Sequence, residues 1–185
     1  MSDRLHYFAY GSNMLTRRLA RRVPSARPLG AARLPGHRIA FHKRGHDGSG
    51  KANITPTGRP DDLVHGVLFE LAAAERPILD RIEGGYERRT IRVHAPALSA
   101  LSTVPTLPDG AHGPVPALTY ISGGRFLDDA LLPFPWYKAF VVEGAREHGL
   151  PPAYVGRLAA VGVIRDPDPE RARRNRAIVR PPGES

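Results

Sequence analysis

The 185 residues carry 41% apolar side chains, enough to build one packed domain and too many for a disordered chain. No cysteine is present, which excludes a disulfide scaffold, a thiolate nucleophile and a cysteine-based zinc site. The net charge of +9 raises the question of nucleic acid or an anionic surface. Nearly all of it is arginine spread along the chain, clustered only at Arg171-Ala172-Arg173-Arg174-Asn175-Arg176, so a nucleic-acid partner is disfavoured.

In chain order, Leu5–Tyr10 is a short apolar and aromatic run that stops at a glycine, the pattern of a buried strand. Ser12 or Asn13 can cap a helix over Met14–Arg22, ended by Pro24. Ala31–Lys43 alternates loosely around Pro35-Gly36 and predicts one or two strands, followed by a loop over Gly45–Gly50. Ala52–Thr55 and Val64–Leu71 read as strands, the second strongly. Ile78, Leu79 and Ile82 recur at helical spacing. Pro77 suits only a first turn, so a helix is expected to start near Glu75 or Arg76 and to stop at Gly84-Gly85. Tyr86–His94 alternates as a strand. Pro96–Pro116 reads as an irregular loop, and Ala117–Ile121 as a further strand. Helices are expected over Trp136–Glu147 and Ala153–Val161, with a short exposed helix over Pro169–Ile178.

No apolar segment follows the first residues, and no run approaches the roughly 20 residues that span a bilayer. Neither a secretory signal nor a membrane partner is expected, and the expected location is cytoplasmic. The element order lacks alternating βα units, which speaks against a doubly wound nucleotide fold. The expected class is α+β: a compact, mixed, β-barrel-like sheet with flanking helices, spanning residues 1–165, and a polar, Arg-rich C-terminal tail over 166–185.

Two segments carry chemistry. In Tyr7-Phe8-Ala9-Tyr10-Gly11-Ser12-Asn13 a strand ends, a glycine turns the chain and small polar residues open a helix. Free backbone N–H groups then converge where the helix dipole also favours an anion, a site for a carboxylate or a developing oxyanion. An ordinary strand–turn–cap junction would look the same. In Asp80-Arg81-Ile82-Glu83-Gly84-Gly85-Tyr86, Glu83 falls on the last helical residue, facing unpaired carbonyls. That placement disfavours its anion and raises its basicity, as a general base requires, although a solvated surface glutamate would also fit.

Other near-motifs fail. Gly45-His46-Asp47-Gly48-Ser49-Gly50-Lys51 imitates a phosphate loop. Ala52 stands where a magnesium-binding hydroxyl belongs, and Asn53-Ile54-Thr55-Pro56 cannot continue as a helix. The histidines show no paired-ligand spacing, so no metal is expected. No nucleophile elbow surrounds Ser12. Phe134, Trp136, Tyr137 and Phe140 read as core or pocket wall.

Taken together, "YFAYGSNM" (Tyr7–Met14), "LDRIEGGY" (Leu79–Tyr86) and "LPFPWYKAFVVEGAREHGLPPAYVGRLAAV" (Leu132–Val161) resemble the γ-glutamylcyclotransferases, of the AIG2-like superfamily, over roughly Leu5–Val163. The resemblance implies their fold and an enzyme that needs no cofactor. The α-amine of a small γ-glutamyl substrate attacks its own γ-carbonyl, releasing 5-oxoproline and an amine or amino acid. It further implies Glu83 as the general acid/base, and Tyr10, Gly11, Ser12 and Asn13 as the holder of the glutamyl anion or the oxyanion. Tyr86 is added as a substrate contact. The leaving group and a homodimer are left open. The competing reading is a non-catalytic module that holds a small anion in the same pocket, or nucleic acid on its Arg-rich tail.

Overall fold

The computed structural model describes residues 3–96 and 113–179. Among the described residues seven strands form two sheets. β1 (Arg4–Ala9), β2 (Arg27–Pro35), β5 (Leu63–Ala72), β6 (Glu87–Val93) and β7 (Val115–Ile121) make one sheet in the order β2-β5-β1-β7-β6. β3 (His37–Arg44) and β4 (Gly50–Pro56) form a separate antiparallel pair. The interior of the large sheet goes to the most apolar segments. β5 buries Val64, Val67, Leu68, Phe69 and Leu71 between β2 and β1. β1 runs antiparallel to β5, with Arg4 opposite Ala72 and Ala9 opposite Val67, and parallel to β7 at Tyr7–Leu118.

The sheet curls until its edge strands meet. Arg33 of β2 and His94, just past β6, exchange backbone hydrogen bonds of 2.8 and 2.9 Å. This single pair gives the sheet its barrel-like form without full closure, and the lone parallel pairing excludes a doubly wound sheet.

Among the described residues five α-helices flank the strands: α1 (Thr16–Ala20), α2 (Arg76–Ile82), α3 (Pro135–Glu147), α4 (Pro152–Ala160) and α5 (Pro169–Val179). None is long and apolar enough to cross a membrane among the described residues. Phe8, Phe69, Phe134 and Phe140 are fully buried where sheet and helices meet. Each is worth roughly 1.5–3 kcal/mol on transfer from water.

The continuous helix expected over Met14–Arg22 is broken in two. Ser12–Met14 is a single tight turn, Leu15 is extended (φ −71°, ψ 108°), and only Thr16–Ala20 is α-helical. Tertiary packing overrides the local preference here. α3 passes so close that a Cβ at Gly144 would sit 2.5 Å from the Leu15 backbone nitrogen. The expected loop over Pro96–Pro116 lies largely outside the described residues.

The segment after residue 165 is polar and Arg-rich as its composition says, but up to Val179 it is docked and not trailing. Asp166 is buried. It accepts 2.6 Å from the Trp136 indole N–H and pairs with the Arg171 guanidinium, while Ala172 packs into the core. The short exposed helix expected over Pro169–Ile178 is present as α5, with Ala172 its one buried residue; what the scarcity of apolar residues hid is how the segment is attached. A buried carboxylate with three donors holds it.

Candidate active site

Strand β1 delivers Tyr7 and, one residue past its end, Tyr10 into the interior; Gly11 then turns the chain into the Ser12–Met14 turn. Gly11 φ is negative, so no left-handed backbone demands glycine here. Close approach does: a Cβ would meet the Ala52 Cβ at 3.2 Å. The N–H groups of Ser12 and Asn13 open the turn, where no earlier carbonyl in it can accept from them.

Some 70 residues later Glu83 caps the C-terminus of α2, one residue past its last helical position; its N–H bonds the Leu79 carbonyl at 3.0 Å and its own carbonyl accepts from Tyr86 at 3.0 Å. The helix is amphipathic only through Leu79, Ile78 and Ile82, and its last turn directs Glu83 inward. The Glu83 carboxylate accepts a 2.7 Å hydrogen bond from Asn13 Nδ2, which also donates 3.1 Å to the Tyr7 hydroxyl.

These groups line one small cavity of about 30 Å³, walled by Tyr7, Tyr10, Tyr86, Tyr120, Tyr137 and Ala52. The structure therefore brings Tyr10, Gly11, Ser12, Asn13, Glu83 and Tyr86 together. Two of the hydroxyls are already committed: Tyr10 donates to the Tyr120 carbonyl and Tyr86 donates 2.7 Å to the Ala52 carbonyl. Tyr10 and Tyr86 thus shape the cavity with their rings. Tyr137, expected as core or pocket wall, is both: its hydroxyl accepts from the Ala52 N–H at 3.1 Å and lies 3.6 Å from where a Gly11 Cβ would be. Tyr120 escaped notice in the sequence. The available signal was a tyrosine inside an alternating strand, since a buried phenol needs a polar partner.

Burial raises the pKa of Glu83, opposed in turn by the charge of Arg22, the Asn13 hydrogen bond, Arg18 and Lys43. The helix-end position anticipated the direction, but the larger cause is the enclosure. No cationic side chain among the described residues is ion-paired with it, so it sits in a weakly positive field with one firm hydrogen bond. Burial also raises Tyr7, Tyr10, Tyr86 and Tyr137, which stay neutral at physiological pH and cannot act as bases there. Glu83 is the carboxylate that lines the cavity, and burial makes it a stronger base than a free glutamate. No cluster of histidine and acidic residues suited to a metal occurs among the described residues.

A family model described as "AIG2-like family" matches residues 63–158, the stretch from β5 through α4 that contains Glu83. The chain belongs to the AIG2-like family. It is similar to the γ-glutamylcyclotransferase of Homo sapiens, 29% identical over 162 residues, covering 84% of this chain and 77% of the human one. It is also similar to that of Bos taurus, 27% identical over 171 residues with the same coverage. A solved structure named as a γ-glutamyl cyclotransferase superposes with a TM-score of 0.74 at 25% identity, over 95% of this chain and 99% of that one. A Homo sapiens structure described as uncharacterized gives 0.70 at 28% identity, over 87% and 89%. The mixed sheet and its flanking helices thus match the fold of the solved γ-glutamyl cyclotransferase.

Proposed function

We propose that this chain is a γ-glutamylcyclotransferase and that Glu83 moves the protons. The observation that carries this reading is the Glu83 carboxylate, raised in basicity, in one cavity with the Gly11–Asn13 turn and tied to it at 2.7 Å through Asn13. The names of the relatives support the same activity.

The turn holds the glutamyl group by its anionic end, or the oxyanion that develops on the γ-carbonyl, with the Ser12 and Asn13 N–H groups and the Ser12 hydroxyl. Glu83 takes a proton from the substrate α-ammonium, whose pKa near 8 leaves it mostly protonated at neutral pH. The freed amine attacks the γ-carbonyl carbon and a five-membered ring closes. The ring nitrogen still carries two hydrogens, so carbonyl collapse is accompanied by two proton transfers: the leaving nitrogen takes the first proton back from Glu83 as its bond breaks, the ring nitrogen gives its second proton to the same carboxylate, and the amine departs as an ammonium. One C–N bond forms and one breaks, and neither water nor a redox partner enters. The attack is intramolecular, so its effective molarity is high and no strong activation of the nucleophile is needed.

The test is release of 5-oxoproline across a panel of γ-glutamyl amino acids, γ-glutamylamines and glutathione. Turnover of at least one class supports the reading. Binding of the panel without any 5-oxoproline favours a module that only holds the anion.

A further inference from the structure

The acid/base in this reading is followed by Gly84-Gly85, with Gly85 at φ 80°. Two glycines have more backbone freedom than any other pair. Left alone, they would let the end of α2 and the Glu83 side chain wander relative to the Gly11–Asn13 turn. Both glycine carbonyls, however, are held from outside. Lys43 Nζ donates 3.1 Å to the Gly84 carbonyl, and Ser122 Oγ donates 3.1 Å to the Gly85 carbonyl.

The clamping residues are themselves buried and braced. Lys43 is only 4% exposed, yet among the described residues its ammonium has no carboxylate partner. It sits over the Tyr86 ring at 4.5 Å, and a Cβ at Gly85 would approach its Nζ to 3.1 Å. Ser122 is bound by Asn53, whose Oδ1 accepts from the Ser122 N–H at 2.8 Å. Asn53 in turn donates to His42 at 3.4 Å, and His42 is paired with Asp129 at 2.8 Å. A buried ammonium costs stability unless its charge is used, and an apolar residue would fill the space at less cost.

We infer that Lys43, assisted by Ser122, is a positioning residue that locks the Gly84–Gly85 turn and so fixes Glu83 against the Gly11–Asn13 turn. The inference rests on the cyclotransferase reading for its consequence in turnover, and on geometry alone for the placement. Glu83 is faced by Arg18 and Arg22 from α1 and the segment after it, by Lys43 from β3, and by the neutral phenols of Tyr7, Tyr10, Tyr120 and Tyr137. His46 reaches the same turn, with its Nε2 3.5 Å from where a Gly84 Cβ would be. Of the cations, Lys43 alone also bonds the turn.

A cation near a carboxylate favours its anion, so removing the Lys43 charge moves the Glu83 protonation midpoint up. The experiment compares Lys43→Met, Lys43→Arg and Ser122→Ala with wild type. Lys43→Met is expected to lower kcat by about ten- to a hundredfold, the scale of a misplaced reacting group, with KM within about threefold. Its acidic limb should move to higher pH. Lys43→Arg should return the limb towards wild type, whereas Ser122→Ala should lower kcat less and leave the limb in place. Unchanged kcat and an unmoved limb in folded Lys43→Met overturn the inference. So does unchanged kcat in Ser122→Ala if Lys43→Met does not fold. Should wild type itself turn over nothing, the cyclotransferase reading fails separately. The placement is then read from the Glu83 carboxyl 13C titration in ligand-free protein, where a midpoint equal in wild type and Lys43→Met overturns it.

Discussion

Asp166 is buried and Glu83 is half-buried at the cavity, and their surroundings push the two carboxylates in opposite directions. Asp166 accepts from the Trp136 indole, the Asp168 backbone and the Arg171 guanidinium, which together hold it far below the usual carboxylate range. Its charge is permanent, and it fastens α5 to α3. Glu83 has one hydrogen bond, from Asn13, no ion pair among the described residues, and a pKa raised by enclosure. A carboxylate saturated with donors is an anchor. One left short of donors, at the end of a helix and in a cavity, is pushed towards higher basicity, as the proposed acid/base role requires.

The largest effect that separates the two should come from Glu83→Gln. Gln keeps the shape and an oxygen for Asn13 but cannot accept and return a proton. Release of 5-oxoproline should fall by about 10²–10⁴-fold, while calorimetric binding of a non-cyclising γ-glutamyl analogue persists. Ser12→Ala, which leaves the backbone N–H groups of the turn in place, should cost less. Near-normal turnover in a folded Gln variant would remove Glu83 from the chemistry.

Asp166→Ala should act on stability. Loss of the carboxylate strands the Trp136 N–H and unpairs Arg171, and a cost of roughly 2–3 kcal/mol is expected in denaturant melts. Turnover of the fraction still folded should stay within a few-fold. Removal of residues 166–185 should be at least as destabilising, since it takes the anchor and α5 together. A stable truncation would show that the segment after residue 165 is dispensable for folding.

The smallest effect is a difference of slopes. The folded pKa of Glu83 lies above its unfolded value, so ionising it works against the fold as pH rises through that interval. Glu83→Gln should therefore melt higher than wild type at pH 7–8, with the gain shrinking towards pH 4. Asp166 is depressed, so its contribution is complete above the unfolded carboxylate pKa and is lost as pH falls below it. Thermal scans across pH for Glu83→Gln and Asp166→Asn should give opposite trends, and parallel trends would break the contrast.

The sequence made one of these two residues legible and hid the other. Glu83 stands just before Gly84-Gly85, where helix-stop chemistry puts it at the end of α2, and the glycine-turned Tyr10–Asn13 segment stands out in the same way. β5 was readable because Val64, Val67, Leu68, Phe69 and Leu71 crowd one short stretch, with the half-buried His65 and Glu70 as its only polar interruptions. Asp166 lies in a polar, proline-rich stretch whose composition resembles a tail. Only the approach of Trp136, 30 residues away, gives it a role. The break at Leu15 is equally non-local, since it depends on Gly144 in α3. Lys43 follows Phe41 and His42 in a run of three consecutive buried residues where β3 shifts register against β4, and nothing nearby in sequence says that its ammonium meets the Gly84 carbonyl.

The most direct test of the central claim follows the oxygen atoms. Wild type is incubated with a turned-over γ-glutamyl compound in 18O-labelled water, and the products are resolved by mass. Intramolecular attack predicts 5-oxoproline free of solvent oxygen and one equivalent of the released amine. Glutamate carrying 18O in its γ-carboxylate would mean that water is the nucleophile, and would contradict a cyclisation driven by Glu83.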